Sequence, residues 1–211
     1  MKVVIVDYGV GNVGSLVNML RRVTDAEIVC SDSKQVIENL GKGDKLFLPG
    51  VGNFGFAMRR LVDLDLVELL RSVGQAGVVD MMGICLGAQL ILESSEEANE
   101  AGLGIIKGAC RKFKMEDMPS GLRIPHMGWS EVEMKDGSFL KVMEERARFY
   151  FVHSYHMVPE EASAVLCVAE HGHPFNAGII QNRCVGVQFH PEKSHRFGME
   201  LLRSFINRGH K

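Results

Sequence analysis

Hydrophobic residues recur along this chain in two rhythms. Residues 3–6 form a short β-branched apolar run that stops at a glycine-rich turn, which reads as a buried strand. Over 15–22 the spacing changes: Leu16, Met19, Leu20 and Val23 return every three or four positions, as on one face of a helix. The pattern then repeats. Residues 27–30 read as a strand, 36–40 as a helix, and 46–48 as a strand ended by Pro49-Gly50-Val51-Gly52. Over 56–73 a helical period runs through Met58, Leu61, Leu64, Leu66 and Leu69, predicting one long helix. A strand at 78–84 runs into Cys85, with 86–93 helical behind it. Strand alternating with helix predicts a parallel sheet covered on both faces.

Beyond residue 108 the rhythm shortens. Segments 129–134, 148–153, 164–169, 177–181 and 185–189 alternate apolar and polar residues and are punctuated by Gly, Pro and Asn. An amphipathic stretch at 198–207 predicts a closing helix. No repeat, linker or low-complexity tract interrupts the chain. The expected fold is α/β: a mostly parallel central sheet flanked by helices, with an antiparallel or mixed strand extension in the second half. A single domain over 1–211 is expected.

Composition removes several function classes. At 46% hydrophobic and 24% charged residues the chain is an ordinary globule, which excludes disorder. A net charge of −2 gives no electrostatic reason for a nucleic-acid or membrane partner. The longest apolar stretch, 78–92, is broken by Asp80, Gly83, Gly87 and Gln89 and is too short to span a bilayer. Residues 3–6 are too few for a signal-peptide core, so a cytoplasmic location is expected. Five cysteines with no CxxC pair are expected to be free thiols. Zinc-ligand spacing is absent, and no metal or cofactor is expected.

Three glycine-rich turns follow strands. The first, Gly9-Val10-Gly11-Asn12-Val13-Gly14, is a formal GxGxxG with Asp32 further on. As a dinucleotide fingerprint it would seat a pyrophosphate and a ribose; otherwise it is a tight strand-to-helix turn. The second, at 49–55, exposes backbone N–H groups, either for an oxyanion or merely to join strand to helix. The third, Gly83-Ile84-Cys85-Leu86-Gly87, has the form G-x-nucleophile-x-G at a strand-to-helix turn. The helix behind it would point its positive end at the thiol.

A thiol nucleophile needs a base. Among the histidines only His190 has a carboxylate at strand spacing, Glu192, with Pro191 keeping His190 extended. Residues i and i+2 of a strand share a face, so Glu192 can orient His190, and His190 can take a proton from Cys85. Outside this constellation, His126 and His153 are as readily structural hydrogen-bonders, and the remaining cysteines packing or surface thiols.

The strings GICLGAQL, PGVGNFG and GVQFHPEKS together resemble class I (triad-type) glutamine amidotransferases. DYGVGN, IPHMGWS and YFVHSYH are similar to the glutaminase subunits of imidazole glycerol phosphate synthases, and the resemblance runs from Val4 to Ile206. The resemblance implies that Cys85 attacks the glutamine amide, His190 acts as base and then acid, and Glu192 orients it. The backbone at Gly50, Val51 and Gly52 and at Leu86 would hold the oxyanion. Gln89, Glu97 and the backbone at His153, Ser154 and Tyr155 would hold glutamine. Trp129, His126 and Met127 would lie near the interface with a (β/α)₈-barrel cyclase subunit, in a heterodimer through which ammonia passes without entering solvent. Ammonia released into neutral water is protonated and ceases to be a nucleophile, which is the physical reason for such a partner. The glycine-rich loop 49–54 is the expected switch by which an acceptor turns the glutaminase on.

The sequence departs from that pattern at Asp80, Met81 and Met82, where a proline and aliphatic residues are usual, and at Ala88, where methionine is usual. Asp80 at a strand entry is odd, and tolerable if it lies at the sheet edge. His156 and the ending HPEKSHRFGMELLRSF resemble a paralogous branch that feeds a surface-sugar amidotransferase. These departures leave the triad untouched and the acceptor open.

Overall fold

The computed structural model describes residues 1–117, 119–135 and 147–209. The first half is a parallel sheet wound with helices: β1 (Lys2–Val6), α1 (Val13–Leu20), β2 (Glu27–Ser31), α2 (Lys34–Glu38), β3 (Lys45–Gly50), α3 (Phe54–Asp63), α4 (Val67–Ala76), β4 (Asp80–Cys85) and α5 (Leu86–Leu90). The second half supplies β5 (Ser94–Ser95), β6 (Gly108–Lys112), β7 (His126–Met134), β8 (Ala147–His153), β9 (Tyr155–Pro159), β10 (Val165–His171), β11 (His173–Gln181), β12 (Cys184–Val187) and α6 (His195–Ile206).

The main sheet runs β2-β1-β3-β4-β12-β11-β10-β7-β8. It is parallel from β2 through β12 and antiparallel from β12 to β8. β12 therefore returns the chain to the centre and pairs with β4. Successive residues of the parallel strands enter opposite core layers. Val4, Leu46, Leu48 and Met81 pack on one face, and Val3, Ile5, Phe47, Met82 and Ile84 on the other. That double burial explains why these strands read as unbroken apolar runs. The C-terminal ends of β3, β4 and β12 open on one edge, where an open α/β sheet presents its ligand crevice.

The helix expected over 56–73 is two helices. Asp65 takes a left-handed φ of 54°, and α4 starts after it. The break lets Leu61 and Leu66, five residues apart, both face the core at zero exposure. One continuous helix would turn them to different sides. Asn53 caps α3 by accepting from the Phe56 N–H at 2.9 Å. Strands β6 and β9 carried too few alternating apolar residues to be read from sequence: Arg111 and Lys112 are exposed.

Asp80 is not at a sheet edge. Its strand lies between β3 and β12, and its carboxyl is fully buried. What permits this is a set of cations: Lys45 Nζ and Arg183 Nη1 each lie 2.8 Å from Oδ2, and Arg208 Nη1 lies 3.4 Å from Oδ1. Lys45, also at zero exposure, donates to the Arg208 carbonyl at 2.8 Å as well. The cluster ties β3, β4 and the segment after α6 together at the pole opposite Cys85.

Candidate active site

The turn from β4 to α5 fixes the nucleophile candidate. Cys85 has φ 53° and ψ −110°, a conformation that costs a non-glycine residue about 1–3 kcal/mol. The flanking glycines are required by close approach: a Cβ on Gly87 would lie 1.8 Å from the Leu48 carbonyl oxygen, and one on Gly83 would lie 2.6 Å from the Gly87 oxygen. The elbow thus presses α5 against β3 and β4 and presents the thiol at the crevice. α5 has only five residues, so its dipole is small.

His190 follows β12. Its N–H donates to the Tyr150 carbonyl at 2.9 Å, which stitches this segment to β8. Its Nδ1 lies 2.7 Å from Glu192 Oε1, and both side chains are nearly fully buried. The pair does not arise by strand alternation as expected. Residues Pro191–Lys193 form a single 3₁₀ turn that curls the carboxylate back over the ring. Pro191 starts that turn, and the Ser194 hydroxyl closes it by donating to the His190 carbonyl at 2.6 Å. With Glu192 accepting at Nδ1, the other nitrogen, Nε2, is buried and without a hydrogen-bond partner among the described residues. Burial alone would favour the neutral ring. The adjacent Cys85 sulfur and the Glu192 carboxylate outweigh it, and the His190 pKa is raised to about 9. The surroundings thus favour the imidazolium form.

Cys85 and His190 open onto a cavity of about 320 Å³. Val51, Gly52, Leu86, Gln89, Glu97, His153, Ser154 and Tyr155 also line it, so the cavity gathers nearly every substrate-site residue expected from the sequence. Gly50 sits one layer down, where a Cβ would meet the Tyr8 hydroxyl at 2.8 Å and the Gly87 nitrogen at 2.9 Å. Gln89 Nε2 donates to the Tyr155 carbonyl and to Gln188 Oε1, both at 3.1 Å. Glu97 Oε2 accepts from the Phe54 N–H at 2.8 Å, tying this carboxylate to the end of the 49–54 loop. Pro125 and Val152 complete the wall, and sequence reasoning missed both, since an aliphatic wall carries no local signal. It also missed Gln188, whose polar side chain sits inside an otherwise apolar strand end.

Residues 4–208 match the family Glutamine amidotransferase class-I. The chain belongs to the class-I glutamine amidotransferases. It is 42% identical over 205 residues to imidazole glycerol phosphate synthase subunit HisH 2 of Pseudomonas aeruginosa, covering 97% of this chain and 98% of that protein. It is 40% identical to subunit HisH of Aquifex aeolicus, covering 100% and 99% of the two chains. A crystal structure described as a glutamine amidotransferase shares the fold at a TM-score of 0.72 and 18% identity, covering 97% of each chain.

Against that frame, the remaining residues of this amidotransferase divide by the alternation of β7. Met127 is 63% exposed and Trp129 39% exposed, with Trp129 stacked on His195. His126, expected beside them, is only 4% exposed, because even positions of β7 face inward. Its ring stacks on Phe151 and His171. It donates from Nδ1 to His153 Nε2 at 3.0 Å and accepts from the Ser130 hydroxyl at 2.8 Å. That assignment follows because His153 Nδ1 donates to the Tyr155 carbonyl at 2.8 Å, leaving Nε2 as the acceptor. In the GxGxxG turn of the amidotransferase Gly9 and Gly11 take φ of 79° and 137°, conformations that favour glycine, and Asn12 caps α1.

Burial holds these histidines neutral. Desolvation, with smaller contributions from neighbouring rings, pushes His126 and His156 down to about 4 and His153 well below its usual range. The unfolded chain takes up these protons near pH 6.5 and the folded chain only near or below 4. Their stabilisation is therefore complete above about pH 6.5 and is lost as pH falls through that window. Urea titrations at pH 7 and pH 4.5 should differ by on the order of 2–4 kcal/mol in favour of pH 7. Equal midpoints would mean that these rings are solvated.

Proposed function

We propose that the chain hydrolyses glutamine to glutamate and ammonia through a Cys85 thioester, and delivers the ammonia to a cyclase subunit in a heterodimer. The observation that carries the chemistry is a buried His190 held by Glu192 beside a strained Cys85, with Cys85 and His190 opening on one cavity. The relatives' names, subunits of imidazole glycerol phosphate synthase, support a partner subunit in histidine biosynthesis; in this reading it is a barrel cyclase that makes imidazole glycerol phosphate and AICAR, in the cytoplasm. No helix among the described residues is long and apolar enough to cross a membrane.

In this reading the Cys85 sulfur adds to the glutamine side-chain carbonyl carbon, and the oxygen takes up negative charge. In this reading the cavity-lining residues Val51, Gly52 and Leu86 supply the N–H groups that meet it; loss of one such donor costs about 10²–10³ in rate. As the C–N bond breaks, the nitrogen leaves as ammonia with the proton that His190 Nε2 gives up. Water then adds to the thioester, returning a proton to His190, and glutamate departs as sulfur regains its electron pair. Glu97 is positioned for the substrate ammonium and the His153–Tyr155 backbone for its polar groups. The exposed Met127 and Trp129 supply the partner-facing surface.

A glutamine-shaped diazo ketone tests the reaction site. It should alkylate Cys85 alone, once, with glutamine protecting. Labelling spread over other thiols, or no protection, would count against the reading. The 49–54 loop gives a second result. Gly52 has φ +104°, which proline is barred from adopting. Gly52→Pro should therefore abolish stimulation of glutamate release by the acceptor-loaded cyclase, and unchanged stimulation would remove the loop from the switch.

A further inference from the structure

Gln188 has no assigned part in the reaction above, yet it stands behind the nucleophile. It is fully buried, one residue beyond β12, and its N–H donates to the Ala177 carbonyl at 2.9 Å. The segment there is extended, so Gln188 and His190 share a face while Phe189 enters the core against Phe149 and Phe151. Two polar side chains of one strand end thus address the thiol, His190 from the cavity and Gln188 from the core.

The orientation of the buried amide is not free. Gln89 Nε2 is a donor at both its contacts, to the Tyr155 carbonyl and to Gln188 Oε1. Gln188 must therefore turn its oxygen to Gln89 and its NH₂ the other way, and that NH₂ lies 3.9 Å from Cys85 Sγ. The sulfur also lies 3.9 Å from the Val152 carbonyl, an acceptor only a neutral thiol can use. Ionisation loses that contact and turns the sulfur into an acceptor, for which the Gln188 N–H is already in place.

We propose that Gln188 is a positioning residue that holds the Cys85 thiolate from the core side, with Gln89 fixing its donor toward the sulfur. The inference rests on the glutaminase reading for its purpose. A donor to a charged sulfur favours ionisation and keeps the nucleophile aimed at the cavity. The network also joins nucleophile to substrate wall, since Gln89 lines the cavity and Gln188 does not. The other titratable groups around Cys85 are Tyr8 beyond β1, Glu97, His153, Tyr155, and His190 with Glu192 behind it.

The test follows iodoacetamide alkylation of Cys85 by intact mass from pH 5 to 10, in a Cys30→Ser background because Cys30 is exposed. Gln188→Met keeps length but removes the donor. Its alkylation at pH 7 should fall about tenfold or more, with rates converging toward pH 10. Gln188→Glu keeps the shape and adds charge, and should displace the profile further in the same direction. It also serves if the Met variant fails to fold. Superimposable profiles, or one loss uniform at all pH values, would overturn the proposal. Because alkylation needs no turnover, a displaced profile in a chain that hydrolyses no glutamine would sink the glutaminase reading and leave the thiolate contact standing.

Discussion

Cys85→Ala should lower glutamine hydrolysis by on the order of 10⁵-fold while leaving the fold intact. Alanine keeps the Cβ and meets the same strain at φ 53°, so the elbow geometry changes little. What is lost is the sulfur that splits one amide hydrolysis into two easier steps. His190→Ala should cost nearly as much, because the sulfur then lacks its cation and the leaving nitrogen its proton. Joined in one chain, the two substitutions should do no more harm than Cys85→Ala alone, since the groups act as a unit. Additive losses would show that they act separately. The same assignment predicts a pH limb: wild-type kcat/KM should fall above about pH 9, as His190 loses the proton it delivers.

Asp80→Ala should destabilise the fold by about 3–5 kcal/mol, the usual cost of stripping one partner from a buried ion pair. Lys45 is fully enclosed and would keep the Arg208 carbonyl and the face of the Phe205 ring but no anion, while Arg183 and Arg208 would lose their shared carboxylate. The cost lies in stranding the cations, so a double change of Asp80 and Lys45 to apolar residues of similar volume should recover most of the stability. Urea midpoints decide this. A single-variant loss below about 1 kcal/mol would mean that water reaches the cluster. The cluster is at the far pole from Cys85, so the effect should appear in stability and not in KM.

These two sites also show what the sequence can and cannot reveal. Cys85 was legible because its chemistry is local: two glycines, a strand before and a helix after. Asp80 was visible as an oddity, but its tolerance depends on Lys45, Arg183 and Arg208, which come together only when β12 and α6 return to the centre of the sheet. The parallel strands declared themselves through uninterrupted apolar runs. Short strands such as β6 and β9, with one face wet and little alternation, did not. The break at Asp65 was hidden because leucines on either side of it mimic one helical period. Glu192 was correctly paired with His190, although a 3₁₀ turn and not an extended strand makes the contact. For His126 the motif gave the neighbourhood, and the register of β7 decides that its ring faces inward. Gln188 escaped notice because its importance is a matter of what lies across the sheet.

Glutamate release from glutamine by the purified chain tests the central claim most directly, measured alone and then with the cyclase subunit and its ribonucleotide substrate. The account predicts slow Cys85-dependent release from the chain alone and a steep rise with the loaded cyclase. Release that is absent in both conditions, or equally present in Cys85→Ala, would contradict it.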